Sequence, residues 1–227
     1  MLSWKNITVQ QFQDIYKLSE NKDLQEMDRL EKIISVLFDK TERQIDEMSV
    51  KEFTALAKQC AFLMQTDNIP GKRVKYIRSG KTKYGIEYNP AKLKHRQYVE
   101  ILHFGDKPIE NMHLIMASLV QPVKFGFWKN NTAMMHEKIA ADMLNAPVVH
   151  VYHAAVFFCK LYVNLIAAIK DYLVAEMTAP NSQGKTMTKQ EAEALVDISH
   201  NVMAGFIQPA KWQNLSASPS MKPGSYR

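Results

Sequence analysis

Residues 148–169 read VVHVYHAAVFFCKLYVNLIAAI, a run of 22 residues that is long enough and apolar enough to suggest a membrane span. The polar side chains that interrupt it are His150, His153, Lys160 and Asn164. At about 100° per residue these four lie within about 80° of one another on a helix, and Asp171 falls in the same arc. Because lipid disfavours such a polar stripe, we predict instead a long central helix, buried by neighbouring helices. It should begin after Pro147 and end near Met177, with its stripe facing water, another subunit or an internal channel.

The rest of the chain carries further start and stop signals for helices. We assign capping boxes, in which a hydroxyl residue is followed three positions later by Gln or Glu, at Thr8, Thr41, Ser49 and Thr188. Helix starts are predicted at Thr8, Thr41, Ser49, Asn89 and Thr132. A loop is predicted from Gln121-Pro122 onward.

These signals predict a mainly α fold, in which a helical bundle-like body carries an inserted basic β-hairpin arm and an extended C-terminal tail. The body covers residues 1–177, with the arm at about 72–88. A polar break at 179–184 leads into an appendix, residues 178–227. One amphipathic helix, at about 188–207, and an irregular tail are expected there.

The positive charge of the chain is concentrated in one segment. Residues 72–96 contain nine Lys or Arg and one acid, so they carry +8 of a chain total of +6, and the remainder is about −2. Alternating side chains on both sides of Ser79-Gly80-Lys81-Thr82 predict the two strands of the arm. Such an arm suits an anionic partner, either nucleic acid or an acidic protein surface. The alternative is a solvated hairpin whose Lys residues protect an exposed strand edge.

The composition is that of a globular protein, with 46% apolar and 23% charged residues in a chain of 227. Cys60 and Cys159 each lie in an apolar helical pattern, so we expect buried thiols in a reducing compartment and no disulfide. The opening residues 1–5 lack the pattern of a signal peptide. We therefore expect the protein to stay in the cytoplasm of the cell that makes it.

No motif in the sequence predicts catalysis or a cofactor. Gly80-Lys81-Thr82 and Gly184-Lys185-Thr186 lack the earlier glycine that a phosphate loop needs. His150 and His153 lie one turn apart, and with His136-Glu137 they suggest a metal-dependent enzyme as an alternative. Since the sequence has no His-Glu-x-x-His or Cys-x-x-Cys motif, we expect no metal, no cofactor and no enzymatic activity.

Several sequence blocks occur in a characteristic order. The chain opens with SWKNITVQQF at residues 3–12, which contains an Ile-Thr-Val entry into a helix, and residues 24–63 give short helices before the basic segment. The blocks that precede the long helix are Gln121-Pro122, Trp128, His136 and residues 140–143. Over about residues 1–177 this order resembles that of tailed-bacteriophage tail assembly chaperones and small tail- or baseplate-associated virion proteins. The appendix, residues 178–227, has no counterpart in that family.

The resemblance implies a non-enzymatic structural or assembly protein of the phage tail or neck, found in the host cytoplasm during assembly and in the virion. Its partners would be other virion proteins, in a homo- or hetero-oligomer and without a membrane. The candidate partner-binding residues are Arg73, Lys75, Tyr76, Arg78, Lys81, Lys83, Tyr84, Lys94, Arg96, Phe127, Trp128 and Trp212. Aromatic residues such as Phe127 and Trp128, flanked by lysines, are typical of interface hot spots, although anchors to the core have the same composition.

The second functional hypothesis is a nucleic-acid-binding or genome-associated virion protein. The residues expected to contact phosphates are Arg73, Lys75, Arg78, Lys81, Lys83, Lys92, Lys94 and Arg96. Tyr76, Tyr84 and Tyr88 are then expected to stack on bases. Salt dependence distinguishes this DNA contact from an apolar protein interface.

Overall fold

The computed structural model describes residues 2–64, 69–105, 107–124, 127–128, 133–178, 188 and 190. These residues form a mainly helical protein with a small antiparallel sheet, which confirms the predicted class. The helices are α1 (Val9–Glu20), α2 (Glu26–Phe38), α3 (Glu42–Asp46), α4 (Val50–Cys60), α5 (His95–Phe104), α6 (Met112–Leu119), α7 (Ala133–Leu144) and α8 (Val148–Thr178). The strands are β1 (Tyr76–Ser79), β2 (Thr82–Ile86), β3 (Val120–Lys124) and β4 (Phe127–Trp128). Apart from positions 188 and 190, the predicted C-terminal helix and tail lie outside the described residues.

Three of the four predicted capping boxes are confirmed, at the starts of α1, α3 and α4, and the fourth, Thr188 with Glu191, extends outside the described residues. The hydroxyl oxygens of Thr8, Thr41 and Ser49 accept hydrogen bonds from the backbone N–H three residues later, at 3.2–3.3 Å. In each case the Gln or Glu side chain at that position accepts a bond in return from the backbone N–H of the cap. These local bonds satisfy amides that have no partner inside the helix.

Helix α8 matches its predicted bounds and joins two hydrophobic clusters. An N-terminal cluster is formed by α1, α2, α3 and α4 around Ile33 and Ile34, and it includes Val148 and Val149 at the start of α8. A larger cluster contains the sheet and α6, α7 and α8 around Met116 and Phe158. Because Tyr152 contacts both clusters, the first turns of α8 connect the two halves of the protein.

The polar stripe of α8 is partly covered. Lys160, Asn164 and Asp171 are exposed, whereas His150 and His153 near the start of the helix are half-buried. Among the described residues, no helix combines the length and the apolar character that a membrane span requires.

The start of the chain is held against the turn between α7 and α8. The N–H of Val9 donates to the carbonyl oxygen of Ala146 at 3.0 Å, and the N–H of Val148 donates to the carbonyl oxygen of Ile7 at 2.9 Å. The Ile-Thr-Val entry is therefore an extended segment, bridged to Pro147, that leads directly into α1.

Both cysteines are buried and free, as the sequence predicts. Burial raises the pKa of the Cys60 thiol to about 11, and burial raises the pKa of Cys159 as well. Since the thiolate is the reactive form, both side chains are suited to core packing rather than to nucleophilic chemistry.

Gln13 fixes α1 to the loop before α6. Its side chain is only 2% exposed, and its amide nitrogen donates to the carbonyl oxygens of Ile109 and Glu110, both at 2.8 Å. The same nitrogen lies 3.0 Å from Nδ1 of His113. Because an amide nitrogen cannot accept, this contact disfavours a proton on Nδ1. Burial, and then electrostatic interaction with Lys17 and His136, lowers the pKa of His113.

This lowered pKa predicts a loss of stability as the solution becomes acidic. Below the unfolded-state pKa of about 6.5, the unfolded chain binds a proton at His113 more readily than the folded chain does. The free energy of unfolding therefore decreases as the pH is lowered. One such proton contributes at most about 1.4 kcal/mol per pH unit. Urea unfolding at several pH values between about 7.5 and 5 should show this slope.

The matched variant is His113→Gln, whose amide oxygen can still accept from Gln13 but does not titrate. Its free energy of unfolding should change less with pH than that of the parent chain. Parallel curves for the two proteins would contradict the assignment.

Candidate binding surface on the sheet

The sheet presents one face to the helices and the other to the outside. Ile77 and Ser79 of β1 are buried, as are Tyr84 and Ile86 of β2, whereas Arg78 is exposed. In β1 this alternation follows the two-residue period of a strand, so Tyr76 and Arg78 belong to the outer face, and Lys83 lies on the same face because it pairs with Arg78. The strands pair in the order β1-β2-β3-β4, which leaves β1 at the edge.

A tight turn sets the register between β1 and β2. Ser79 pairs with Thr82 across the two residues Gly80 and Lys81, and Gly80 has a φ of 54°. A positive φ at the first of two turn residues is typical of a type II′ turn, which favours glycine. Arg78 and Lys83 therefore lie directly opposite each other.

The basic segment does not project as an arm, which corrects the prediction for residues 72–88. Ile77, Tyr84 and Ile86 are part of the main hydrophobic cluster, and β2 pairs with β3 on its other side. The apolar half of the alternating pattern is therefore used for packing on the body. Only the outer face and the β1 edge are available for a partner.

Tyr84 was predicted to bind a partner, but the structure gives it a core position. Its side chain is 2% exposed, and its hydroxyl donates to a carboxylate oxygen of Asp142 on α7. Burial is the main cause that raises the pKa of the Tyr84 hydroxyl, and the hydrogen bond to Asp142 raises this pKa further. Ser79 supports the same junction by donating from Oγ to the carbonyl oxygen of Asp142 at 2.5 Å. These polar contacts hold the sheet on α7.

Tyr88 is likewise a packing residue rather than a platform for bases. Its ring stacks on Phe158 with a centroid distance of 5.6 Å and an interplanar angle of 5°, and its hydroxyl donates to the carbonyl oxygen of Val74. Arg73 lies over this group, with its guanidinium carbon 4.5 Å from the centroid of Phe157. The cation of Arg73 is thus already engaged by aromatic rings.

Four further cations lie in or beside β1, the turn and β2. We call Lys75, Arg78, Lys81 and Lys83 the cationic surface. Nζ of Lys83 lies 3.8 Å from the centroid of the Tyr76 ring and Nζ of Lys75 lies 5.6 Å from it. In the part of the chain that the structure describes, none of the four has an acidic partner within 4.0 Å.

The pairing of Arg78 with Lys83 makes this surface unfavourable without an external anion. Residues 79 and 82 flank the turn as a hydrogen-bonded pair, so 78 and 83 form the non-hydrogen-bonded pair that follows it. Cα atoms in such pairs are about 4.5 Å apart, and like charges placed there repel each other. An anion at this position would relieve the repulsion.

Other predicted basic residues lie outside the cationic surface. Lys92 is 3.6 Å from Glu87, and Arg96 is 3.3 Å from Glu100, so both have an acidic partner within the protein. Lys94 is exposed just before α5. Contact with a partner through Lys94 stays a prediction.

The predicted aromatic residues are only partly placed. Phe127 and Trp128 form β4, which pairs with Lys124 and Val123 of β3, so the predicted loop is in fact a short strand pair. Trp212 lies outside the described residues.

The histidines considered as metal ligands do not form a common site. His136 of α7 contacts Ser118 Oγ through Nε2 at 3.0 Å and stacks on Phe104. His153 of α8 has a buried Nε2 with no hydrogen-bond partner, and a Cβ placed on Gly71 would lie 3.1 Å from it. Gly71 has a φ of 140°, so glycine is required at this close approach. Within the described ranges, no group of three potential metal ligands was found.

Ser118 and His136 form a serine–histidine contact of the kind that activates nucleophiles. Ser118 is only 1% exposed, and its Oγ donates to the carbonyl oxygen of Leu114 at 3.1 Å. The backbone of Ser118 also accepts a bond from the buried Gln97 side chain at 2.7 Å. A substrate cannot reach this oxygen, so the contact is structural.

A cleft of about 730 Å³ lies among α1, α2 and α3. Its acidic side chains are Asp14, Asp28, Glu31, Glu42 and Asp46, and Lys17 and Lys32 line it as well. Lys32 pairs with Glu42 at 3.2 Å. The carboxylates are those of solvated helix faces.

The cationic surface with the edge of β1 is therefore the strongest candidate site in the described part of the protein. The alternating charges of this site are visible in the sequence. The open edge of β1 follows from the strand order, which only the structure shows. Comparison of the chain with protein-family models, with curated proteins and with solved structures found no match.

Proposed function

We propose that this protein is a non-enzymatic structural or assembly protein of the tail or neck of a tailed bacteriophage, which acts through protein–protein contacts. The phage setting rests on the sequence resemblance of residues 1–177 alone. The contacts are assigned to the basic sheet segment and to the C-terminal appendix, residues 178–227. The appendix would extend to neighbouring subunits during assembly.

The observation that carries the binding role is the concentration of four cations without acidic partners in or beside β1, the turn and β2, where Arg78 lies directly opposite Lys83. Other described cations are either paired, as Lys32 is with Glu42, or dispersed over helix surfaces, as Lys51 and Lys160 are. The repulsion between Arg78 and the opposite Lys83 lowers the stability of the sheet, so folding alone does not explain this pair. Recognition of an anionic partner is the use that these residues fit best.

The second candidate function is binding of nucleic acid, since the same four cations would also contact phosphates. Of the three tyrosines expected to stack on bases, only Tyr76 lies on the outer face, and the ammonium group of Lys83 covers its ring. The geometry thus favours phosphate contact without base recognition under this hypothesis. Four phosphate contacts imply that affinity falls about 100-fold between 50 and 200 mM salt.

The proposed function is tested by mass spectrometry of virions from the phage that encodes the chain, together with size-exclusion chromatography of the chain co-expressed with the tail proteins of that phage. We expect the chain in the virion or in a stable complex with at least one tail protein. A chain that is absent from virions and elutes as a monomer with every tail protein would overturn the proposal.

A further inference from the structure

We propose that the free edge of β1 is the docking site for an acidic, extended segment of a partner protein, which adds to the sheet as a strand beside β1. This inference rests on the proposed function only in that the partner is a protein. It goes further by assigning the contact to the main chain of Tyr76 and Arg78 together with the cationic surface.

The direction of the backbone groups in β1 follows from its register with β2. Residues 79 and 82 form a hydrogen-bonded pair, and the N–H of Ile86 donates to the carbonyl oxygen of Lys75 at 3.0 Å. Hydrogen-bonded and non-hydrogen-bonded pairs alternate in an antiparallel ladder, so Ser79, Ile77 and Lys75 bond to β2. The N–H and C=O groups of Tyr76 and Arg78 therefore point away from β2.

These outward groups are available for a further strand. No hydrogen bond joins the main chain of Tyr76 or Arg78 to another residue in the described part of the protein. An edge of this kind is a template for strand addition, in which main-chain hydrogen bonds supply affinity and side chains supply specificity. At about 3.3 Å per residue, the four residues of β1 would pair with a segment of about four to seven residues.

The charge at the edge selects an acidic segment. Arg78 is exposed on the strand, Lys75 precedes it and Lys81 follows in the turn, while Lys83 lies across from Arg78. Asp or Glu side chains on an added strand would lie opposite these cations, where unlike charges stabilise a sheet.

The same charges disfavour two other occupants of the edge. Two copies of β1 side by side would bring Arg78 and Lys75 of each copy together, and the like charges would repel. The end of this chain, residues 208–227, contains Lys211, Lys222 and Arg227 but no Asp or Glu. It lacks the complementary charge, and the acidic residues of the appendix, Glu191, Glu193 and Asp197, belong to its predicted amphipathic helix. We therefore assign the edge to an extended segment of a different protein.

Nucleic acid would use the cations but would not need the paired donors and acceptors of a strand edge. Moreover, Tyr84 and Tyr88 are held in the core by Asp142 and Phe158 and offer no stacking surface. An acidic strand accounts for both the unpaired charges and the open main-chain groups.

The proposal is tested by fluorescence anisotropy with the full chain and three labelled probes. One peptide of about seven residues alternates Glu with Val, and a second has the same sequence with every backbone amide nitrogen methylated, which keeps the charge but removes the N–H donors. The third probe is a DNA duplex of about 20 base pairs. We expect the Glu-Val peptide to bind at least about tenfold more tightly than the N-methylated peptide and than the duplex. Equal binding of the two peptides would overturn the proposal, as would tighter binding of the duplex with the steep salt dependence of phosphate contacts.

Matched variants locate the site. Replacing Arg78 and Lys83 with Gln should weaken the binding of the Glu-Val peptide about tenfold or more. Replacing Lys92 and Arg96 with Gln removes the same charge from residues that are paired within the protein, so it should change the affinity for this peptide less than about twofold. Equal effects of the two pairs would place binding elsewhere and overturn the proposal.

The role of the main chain is tested separately from the charges. Tyr76→Pro removes one outward N–H at the first residue of β1, a position where strands tolerate proline, and leaves every cation in place. It should weaken the binding of the Glu-Val peptide but leave the binding of the N-methylated peptide unchanged. In the parent chain, amide exchange at Tyr76 and Arg78 should slow on binding, and unchanged exchange in a saturated complex would overturn strand addition even if Tyr76→Pro does not fold.

These measurements need no phage component. Failure of the peptide to bind therefore leaves the assembly role standing, and absence of the chain from virions leaves the edge site standing.

Discussion

Replacing Phe158 with alanine is expected to lower the free energy of unfolding by about 3–5 kcal/mol, the range found when a large aromatic side chain is removed from a core. Phe158 is 1% exposed and lies in α8 at the centre of the larger cluster. Its ring stacks on Tyr88 and packs edge-on against Phe157 at 5.1 Å. Truncation would leave a cavity that the long helix, held at its start by both clusters, cannot close by moving.

Urea unfolding followed by circular dichroism measures this effect, and the same helix supplies the control. Tyr172 of α8 is 64% exposed, so Tyr172→Ala should change the free energy of unfolding by no more than about 0.5 kcal/mol. Domains of this size are stable by only about 5–15 kcal/mol, so Phe158→Ala should be visibly closer to unfolding at ambient temperature. A loss below about 1 kcal/mol would show that the stacked arrangement of Tyr88 and Phe158 does not contribute as the packing indicates.

Helix α8 and the capped helix starts could be predicted because their signals are local. The capping boxes at Thr8, Thr41 and Ser49 need only a partner three residues away, and the start of α8 after Pro147 is fixed by its own sequence. Periodicity over 22 residues also separated a helix with a polar stripe from a membrane span.

Strand β3 could not be predicted, because the pairing that forms it is not local. Val120 pairs with Ile86 and Pro122 with Tyr84, more than 30 residues away along the chain. Proline lacks an N–H and normally indicates a strand end or a loop. The sequence around Gln121-Pro122 therefore favoured a loop, and the sheet was expected to consist of the hairpin strands alone.

The candidate site was predicted in its charges but not in its geometry. The sequence identified the basic residues Arg78 and Lys83, which the structure places on the outer face, whereas Lys75 precedes β1 in the same phase as the buried Ile77. Alternation in the basic segment placed Ile77 and Ile86 on a common apolar face, a signal that the segment packs on the body, and Tyr84 belongs to that face. The acceptor for Tyr84, Asp142, is 58 residues away, and no local pattern identifies it.

Replacing Gln13 with leucine is the second large destabilisation that the structure predicts. The leucine would fill a similar volume, but the carbonyl oxygens of Ile109 and Glu110 and Nδ1 of His113 would lose their common donor. Leaving a buried polar group unsatisfied costs about 1–3 kcal/mol, and the two N–H groups of this amide serve all three acceptors, so we expect about 3 kcal/mol. The free energy of unfolding, measured in urea at neutral pH, reports this loss directly.

The matched control is Gln10→Leu, the same substitution one turn earlier on α1. Gln10 is exposed and donates to both carboxylate oxygens of Asp14 at 2.9–3.0 Å, a helical pair that contributes only about 0.2–0.5 kcal/mol. If Gln13→Leu were no more destabilising than Gln10→Leu, then water would be replacing the amide at the three acceptors. In that case α1 would be held to the second half of the protein by Val9 and the apolar contacts around Phe12 alone, and the hydrogen bonds of Gln13 would only set the orientation of the helix.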